Sequence, residues 1–292
     1  MDKKWYQKSY RRCVIDMHIT DCDKRFMSEF DTKNYVDMLL LSQAQSVVLY
    51  AHSHYGLCYF PTKVSTMHPG LNGRNILSEV IDLCHRNNIY VVIYCSAIYD
   101  TIAYRKNPDW KIKDANGNPV AENSRYGICC PNSPYRNYLA ELAEEICSSF
   151  EFEGIRFDMT FWPTVCYCLH CQKRFADEVG KELPKSVNWS DPVWVAFQRK
   201  REEWLVDFAK YITETVRRVK PGISVEHQSS TYHANWNLGV TYKLAEQNDF
   251  LQGDFYGDAL QGTFARKLFY NLSENLPCGF ETCVYSFLFD LG

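Results

Sequence analysis

The feature that most constrains this chain is an alternation in which short runs rich in Val, Ile, Tyr and Phe are followed repeatedly by longer amphipathic stretches. Such patterning builds parallel strands joined by helical crossovers. CVIDMHI (13–19) reads as a first strand and precedes a helix over 34–43, and SVVLYAH (46–52) reads as a second and precedes a helix over 75–88. IYVVIYCS (89–96) and GIRFDMTF (154–161) follow, with a helix over 135–150 between them. A helix over 192–220 starts at Asp191-Pro192, an N-cap followed by Pro at the first helical position, and stops at Pro221-Gly222. ISVEHQS (223–229), DFLQGDFY (249–256) and GFETCVYSF (279–287) supply three more strands.

Seven strands in this order predict an α/β fold of the TIM (β/α)8 type rather than a doubly wound sheet. No glycine-rich phosphate loop follows the first strand, which argues against a dinucleotide site. The sequence reaches Gly292 directly after the seventh strand. We therefore expect residues 1–292 to form a single catalytic barrel domain, with the eighth strand missing or irregular, as the N-terminal part of a longer enzyme.

Composition narrows the function classes. With 46% hydrophobic and 23% charged residues and a formal charge of −3, the chain is globular, and no basic run is long enough to track a nucleic acid. No apolar window suits a signal peptide or a membrane span, so no membrane partner is expected and a cytoplasmic location is. Homo-oligomerisation is left open. Thirteen cysteines in a reducing compartment read as thiols or metal ligands rather than a disulfide frame.

Barrel enzymes place their chemistry at the carboxyl ends of strands, and ionisable residues collect there. Asp16 and His18 end the first expected strand, His52 and His54 the second, Tyr94 the third and Asp158 the fourth. Glu226 and His227 end the fifth, Asp254 the sixth, and Glu281 lies on the seventh. Any one of these could merely satisfy a neighbouring backbone group. A ring contributed by every strand points instead to a site, and two suitably spaced carboxylates hydrolyse a glycosidic bond. The stretch HSHYGLCYFPTK (52–63) adds aromatics that suit the apolar face of a sugar. Strand alternation puts Arg156 on the same face as Asp158, where its guanidinium favours the ionised carboxylate.

These residues resemble a known pattern. HYGLCYFPTK (54–63) is similar to the second-strand signature of family 29 α-L-fucosidases, and IYVVIYCS, EGIRFDM and FETCVYSF resemble three later segments of that family in the same order. The whole chain, including HPGL (68–71), is similar to the hypothetical glycosyl hydrolase group 6 domain of family 151 α-L-fucosidases. The resemblance implies a retaining exo-glycosidase acting on a mono- or oligosaccharide, with Asp158 as nucleophile, Glu281 as acid/base, and no cofactor for catalysis. It further implies that His18, His54 and Tyr94 bind sugar hydroxyls. Tyr55, Tyr59 and Trp162 are candidate site aromatics, and Glu226 and Asp254 are rival acids. Ser53, Tyr55 and Arg156 depart from the signature and bear on the choice of sugar. A carbohydrate-binding barrel without catalysis is the alternative of a different class.

Cys166, Cys168 and Cys171 fall within six residues, and Cys129-Cys130 precedes PNSP (131–134). Together with Cys130 they are similar to the zinc site of family 42 β-galactosidases, which implies a structural zinc with no open position for water. That similarity also raises a β-galactosidase-like reading with Glu281 as nucleophile. The Asn-Glu pair it requires on the fourth strand is replaced here by Arg156-Phe157-Asp158-Met159.

Overall fold

The computed structural model describes residues 4–18, 25–228, 235–254, 259–272 and 276–281. Five parallel strands form its centre: β1 (Arg12–Val14), β2 (Ser46–His52), β5 (Tyr90–Ser96), β6 (Gly154–Asp158) and β7 (Ser224–His227). Each pairs with the next in sequence, so the order never reverses. The crossovers carry α1 (Thr32–Leu41), α2 (Ile76–Arg86), α4 (Tyr135–Ser149) and α6 (Pro192–Val219). A second parallel pair, β8 (Leu251–Asp254) and β9 (Cys278–Glu281), flanks α7 (Ala259–Leu272). The mixed α/β architecture with a parallel sheet is as the alternation predicts.

Every residue of β2 and β6 is buried, as expected of strands covered on both faces. α2 shows how a crossover is held: Asn75 caps it by accepting from Ser78 N–H, and Ile76, Leu77, Val80, Ile81 and Cys84 form its buried stripe. Each large apolar side chain so buried contributes about 1.5–3 kcal/mol. Beneath the amino ends of the strands, the Trp5 indole donates to Ser224 Oγ at 3.0 Å and lies 5.9 Å from both the Tyr90 and Phe250 rings.

Several boundaries differ from expectation. The first strand stops at Val14, well short of His18, and β6 stops at Asp158 because Met159 takes a left-handed φ of 64° that no strand continues through. The histidine-rich stretch after β2 holds a small hairpin arm. There β3 (Leu57–Cys58) turns back antiparallel on β2, and β4 (Thr66–Met67) pairs with it. Two helices were not foreseen, α3 (Thr101–Lys106) and α5 (Leu169–Val179). The expected strand ends at 229, 255–256 and 282–287 lie outside the described residues.

Candidate active site

Register builds the site. Tyr50 pairs with Tyr94, Tyr94 with Arg156, and Arg156 with Glu226, so four strands present these side chains at one level and on one face. Asp158 stands two residues beyond Arg156 on that face and pairs with Ser96 at the carboxyl end of β5.

Both oxygens of the Asp158 carboxylate are held. Oδ1 accepts from Met159 N–H at 2.9 Å and Oδ2 accepts from the Tyr94 hydroxyl. Burial opposes ionisation of this group, but the Arg156 guanidinium and the Tyr94 hydrogen bond outweigh it and hold the carboxyl below its ordinary range. Beneath it, Glu226 lies 3.6 Å from Arg12 and 3.7 Å from Arg156, a buried charge matched on two sides. Glu226 is therefore a counter-ion to guanidinium groups rather than an acid presented to a ligand.

Two stacked pairs surround the carboxylate. The Tyr50 and Tyr94 rings lie 3.9 Å apart at 9°, and the His18 and His54 rings 3.6 Å apart at 12°. His18 Nε2 is 2.9 Å from the Tyr94 hydroxyl and 3.2 Å from that of Tyr50. The backbone carbonyl of His18 accepts from Arg125 and from the Tyr126 hydroxyl. Ser96 donates its one hydroxyl proton to the Tyr99 carbonyl, so at 2.6 Å it accepts from His54 Nδ1–H. That fixes the tautomer and turns the Nε2 lone pair toward Asp158 Oδ2, 3.9 Å away. Burial lowers the His54 pKa to about 3 and lowers that of His18, so both imidazoles are neutral near pH 7.

The structure thus brings together His18, His54, Tyr94, Arg156 and Asp158. Other sequence candidates have structural partners elsewhere. The β2–β5 register shifts between Tyr50 and His52, so His52 pairs with Cys95 and turns away from the Tyr94 face to lie 3.3 Å from Asp100, the cap of α3. His227 is stacked on Phe157 and engages Thr160 and Thr213 through its two nitrogens, bracing β7 against α6. Trp162 is fully buried, and its Nε1 donates to the Arg201 carbonyl. Tyr55 is half-buried and accepts from Arg105 on α3, while the Tyr59 hydroxyl donates to the Met17 carbonyl. The side chains of Asp254 and Glu281 lie outside the described residues, although their backbones pair in register between β8 and β9. Sequence reasoning missed Ser96 and Tyr50, both of which alternation places on the faces already chosen.

A second cluster joins two loops. Cys168 sits at the N-cap of α5 and Cys171 in its first turn, and with Cys130 and Cys166 they form a buried group whose sulfurs all lie within 4.8 Å of one another. Cys130 and Cys171 Sγ are 3.5 Å apart, and Asn132 Nδ2 donates to Cys171 Sγ at 3.3 Å. Four thiolates at about 2.3 Å from a tetrahedral cation stand just under 4 Å apart, so the donor set fits zinc.

The fold thus sets a carboxylate ringed by imidazole and phenol groups at the carboxyl end of a parallel strand, and the proteins it is similar to are glycoside hydrolases. Residues 31–159, which carry β2 through β6, match the family model described as Hypothetical glycosyl hydrolase 6. No curated protein matches the chain. Among solved structures, the alpha-L-fucosidase isoenzyme 2 from Paenibacillus thiaminolyticus is similar with a TM-score of 0.68 and 23% identity, over 84% of this chain and 35% of that one. The beta-galactosidase from the psychrophilic Marinomonas ef1 gives 0.64 at 13% identity, over 84% and 45%. The PgaB (BpsB) glycoside hydrolase domain from Bordetella bronchiseptica gives 0.68 at 14%, over 89% and 79%. At these identities the likenesses speak for the fold, and the chain spans less than half the length of the first two.

Proposed function

We propose that the chain is a (β/α) barrel of a retaining exo-glycoside hydrolase of α-L-fucosidase type, with Asp158 as nucleophile and Glu281 as acid/base. The observation that carries this reading is the doubly hydrogen-bonded, buried Asp158 carboxylate, kept ionised by Arg156 at the rim of the sheet. In this reading a carboxylate oxygen of Asp158 attacks the anomeric carbon as the glycosidic C–O bond breaks, and the acid protonates the departing oxygen. Water, deprotonated by the same acid group, then releases the sugar. The lone pair on His54 Nε2 accepts from a sugar hydroxyl, and the stacked histidines wall the pocket. The one-directional strand order supports the barrel.

Cys130, Cys166, Cys168 and Cys171 would hold a structural zinc that pins the loop before α4 to the start of α5 and leaves catalysis to the carboxylates. The described cysteines are thiols, in keeping with a cytoplasmic location.

A panel of nitrophenyl glycosides tests the reading. One sugar, fucose first, should turn over, and Asp158→Ala should lower the rate by roughly three to six orders of magnitude. Azide should restore turnover with formation of a glycosyl azide. An Asp158→Ala protein of undiminished activity would exclude this nucleophile.

A further inference from the structure

We propose that His18, His54 and Asp158 form a divalent transition-metal site in which the ion and the sugar exclude each other, so that such cations regulate the site. The inference concerns the same side chains as the proposed hydrolase site. One ligand atom from each of the three residues lies within 4.8 Å of the other two, a cluster separate from the four cysteines. Two imidazoles and one carboxylate are a donor set that suits borderline cations such as Zn²⁺ and Co²⁺.

The His18 and His54 rings stack at 3.6 Å and 12°, so one ring must turn for both to ligate a single ion, while the surrounding groups already set the other donors. The Ser96–Tyr99 relay fixes the His54 tautomer so that Nε2 carries the free lone pair, which is the outer-sphere support that metal-binding histidines require. Asp158 is turned by Met159 N–H and the Tyr94 hydroxyl, which leaves lone pairs on both oxygens. His18 Nδ1 is buried and has no hydrogen-bond partner among the described residues. The Tyr94 hydroxyl, beside both His18 and Asp158, stands where a further oxygen ligand would come from. Arg156 is the charge that opposes a cation, and Glu226 beneath it offsets that charge. Asp16, within 3.5 Å of the Tyr50 hydroxyl, adds negative charge on the other side.

Cobalt titration of the whole protein, its cysteine site first filled with zinc, distinguishes the outcomes. We expect one further equivalent of Co²⁺ whose spectrum lacks thiolate-to-metal charge transfer, and whose binding inhibits any glycoside turnover in competition with sugar. His54→Ala should weaken that binding at least 100-fold, and Ser96→Ala, which keeps all three ligands, by about 10-fold. The proposal fails if no saturable equivalent appears, or if both variants bind cobalt as tightly as the unaltered chain. Binding is read without turnover, so an inactive protein that takes up the ion sinks only the hydrolase reading, and an active one that takes up none sinks only this.

Discussion

Met159 shows how one residue shapes the site. Its left-handed backbone ends β6 and turns its own N–H onto the Asp158 carboxylate, so the same conformation that interrupts the strand orients the proposed nucleophile. Two residues nearby govern the response to acid. Burial lowers the pKa of His54 and of His227 to about 3, against about 6.5 in an unfolded chain. Between those values the unfolded state binds more protons, so stability is complete above pH 6.5 and falls as pH drops toward 3, by about 1.4 kcal/mol per unit for each histidine. Unfolding free energies from denaturant titrations at pH 7 and pH 5.5 should therefore differ by roughly 2.5 kcal/mol, and His227→Gln should halve that difference. The Asp158 carboxyl is likewise held below its ordinary range, so its contribution is complete above about pH 4 and is lost as the pH falls further. At this scale the sequence reveals Arg156 and Asp158 because strand alternation puts them on one face, and His54 and Tyr94 because they stand where the second and third strands end. His52 misleads, because a register shift that no residue type announces turns it outward. Trp162 and His227 mislead for a different reason: their polar atoms are satisfied by backbone and threonine groups distant in sequence, which no local pattern displays.

Elements follow the sequence most closely where one signal dominates. β2 is found at its expected bounds, and α6 starts where its cap and proline predict, with Asp191 accepting from Val193 N–H. The hairpin arm was hidden because Tyr55-Gly56 lies inside an aromatic run that reads as a binding loop. Gly56 has φ +91°, and a Cβ there would collide with the carboxylate of Asp100, which caps α3 and pairs with His52. Gly56→Ala should cost about 2–4 kcal/mol through backbone strain and loss of that cap, read as a lowered denaturant midpoint. An unchanged midpoint would mean that the arm and α3 are independent. α3 itself is too short for its periodicity to register.

At the scale of the whole molecule, two long-range ties matter most. The four cysteines connect segments about 40 positions apart, Cys130 and Cys171 being separated by 41. If they bind zinc, thiol modification should release one equivalent of metal, and the protein so treated should unfold at lower temperature. Cys171→Ser should show both effects without any modifying reagent. Among the described residues no helix is long and apolar enough to cross a membrane. The second tie is the Trp5 indole, which meets its hydrogen-bond partner Ser224 across 219 positions. On a ribosome adding 5–20 residues each second, the floor of the sheet must wait roughly 10–45 seconds for its counterpart to emerge. The segment around Trp5 spends that interval without the partner that fixes it, so a chaperone that shelters newly made chains would find its handle there.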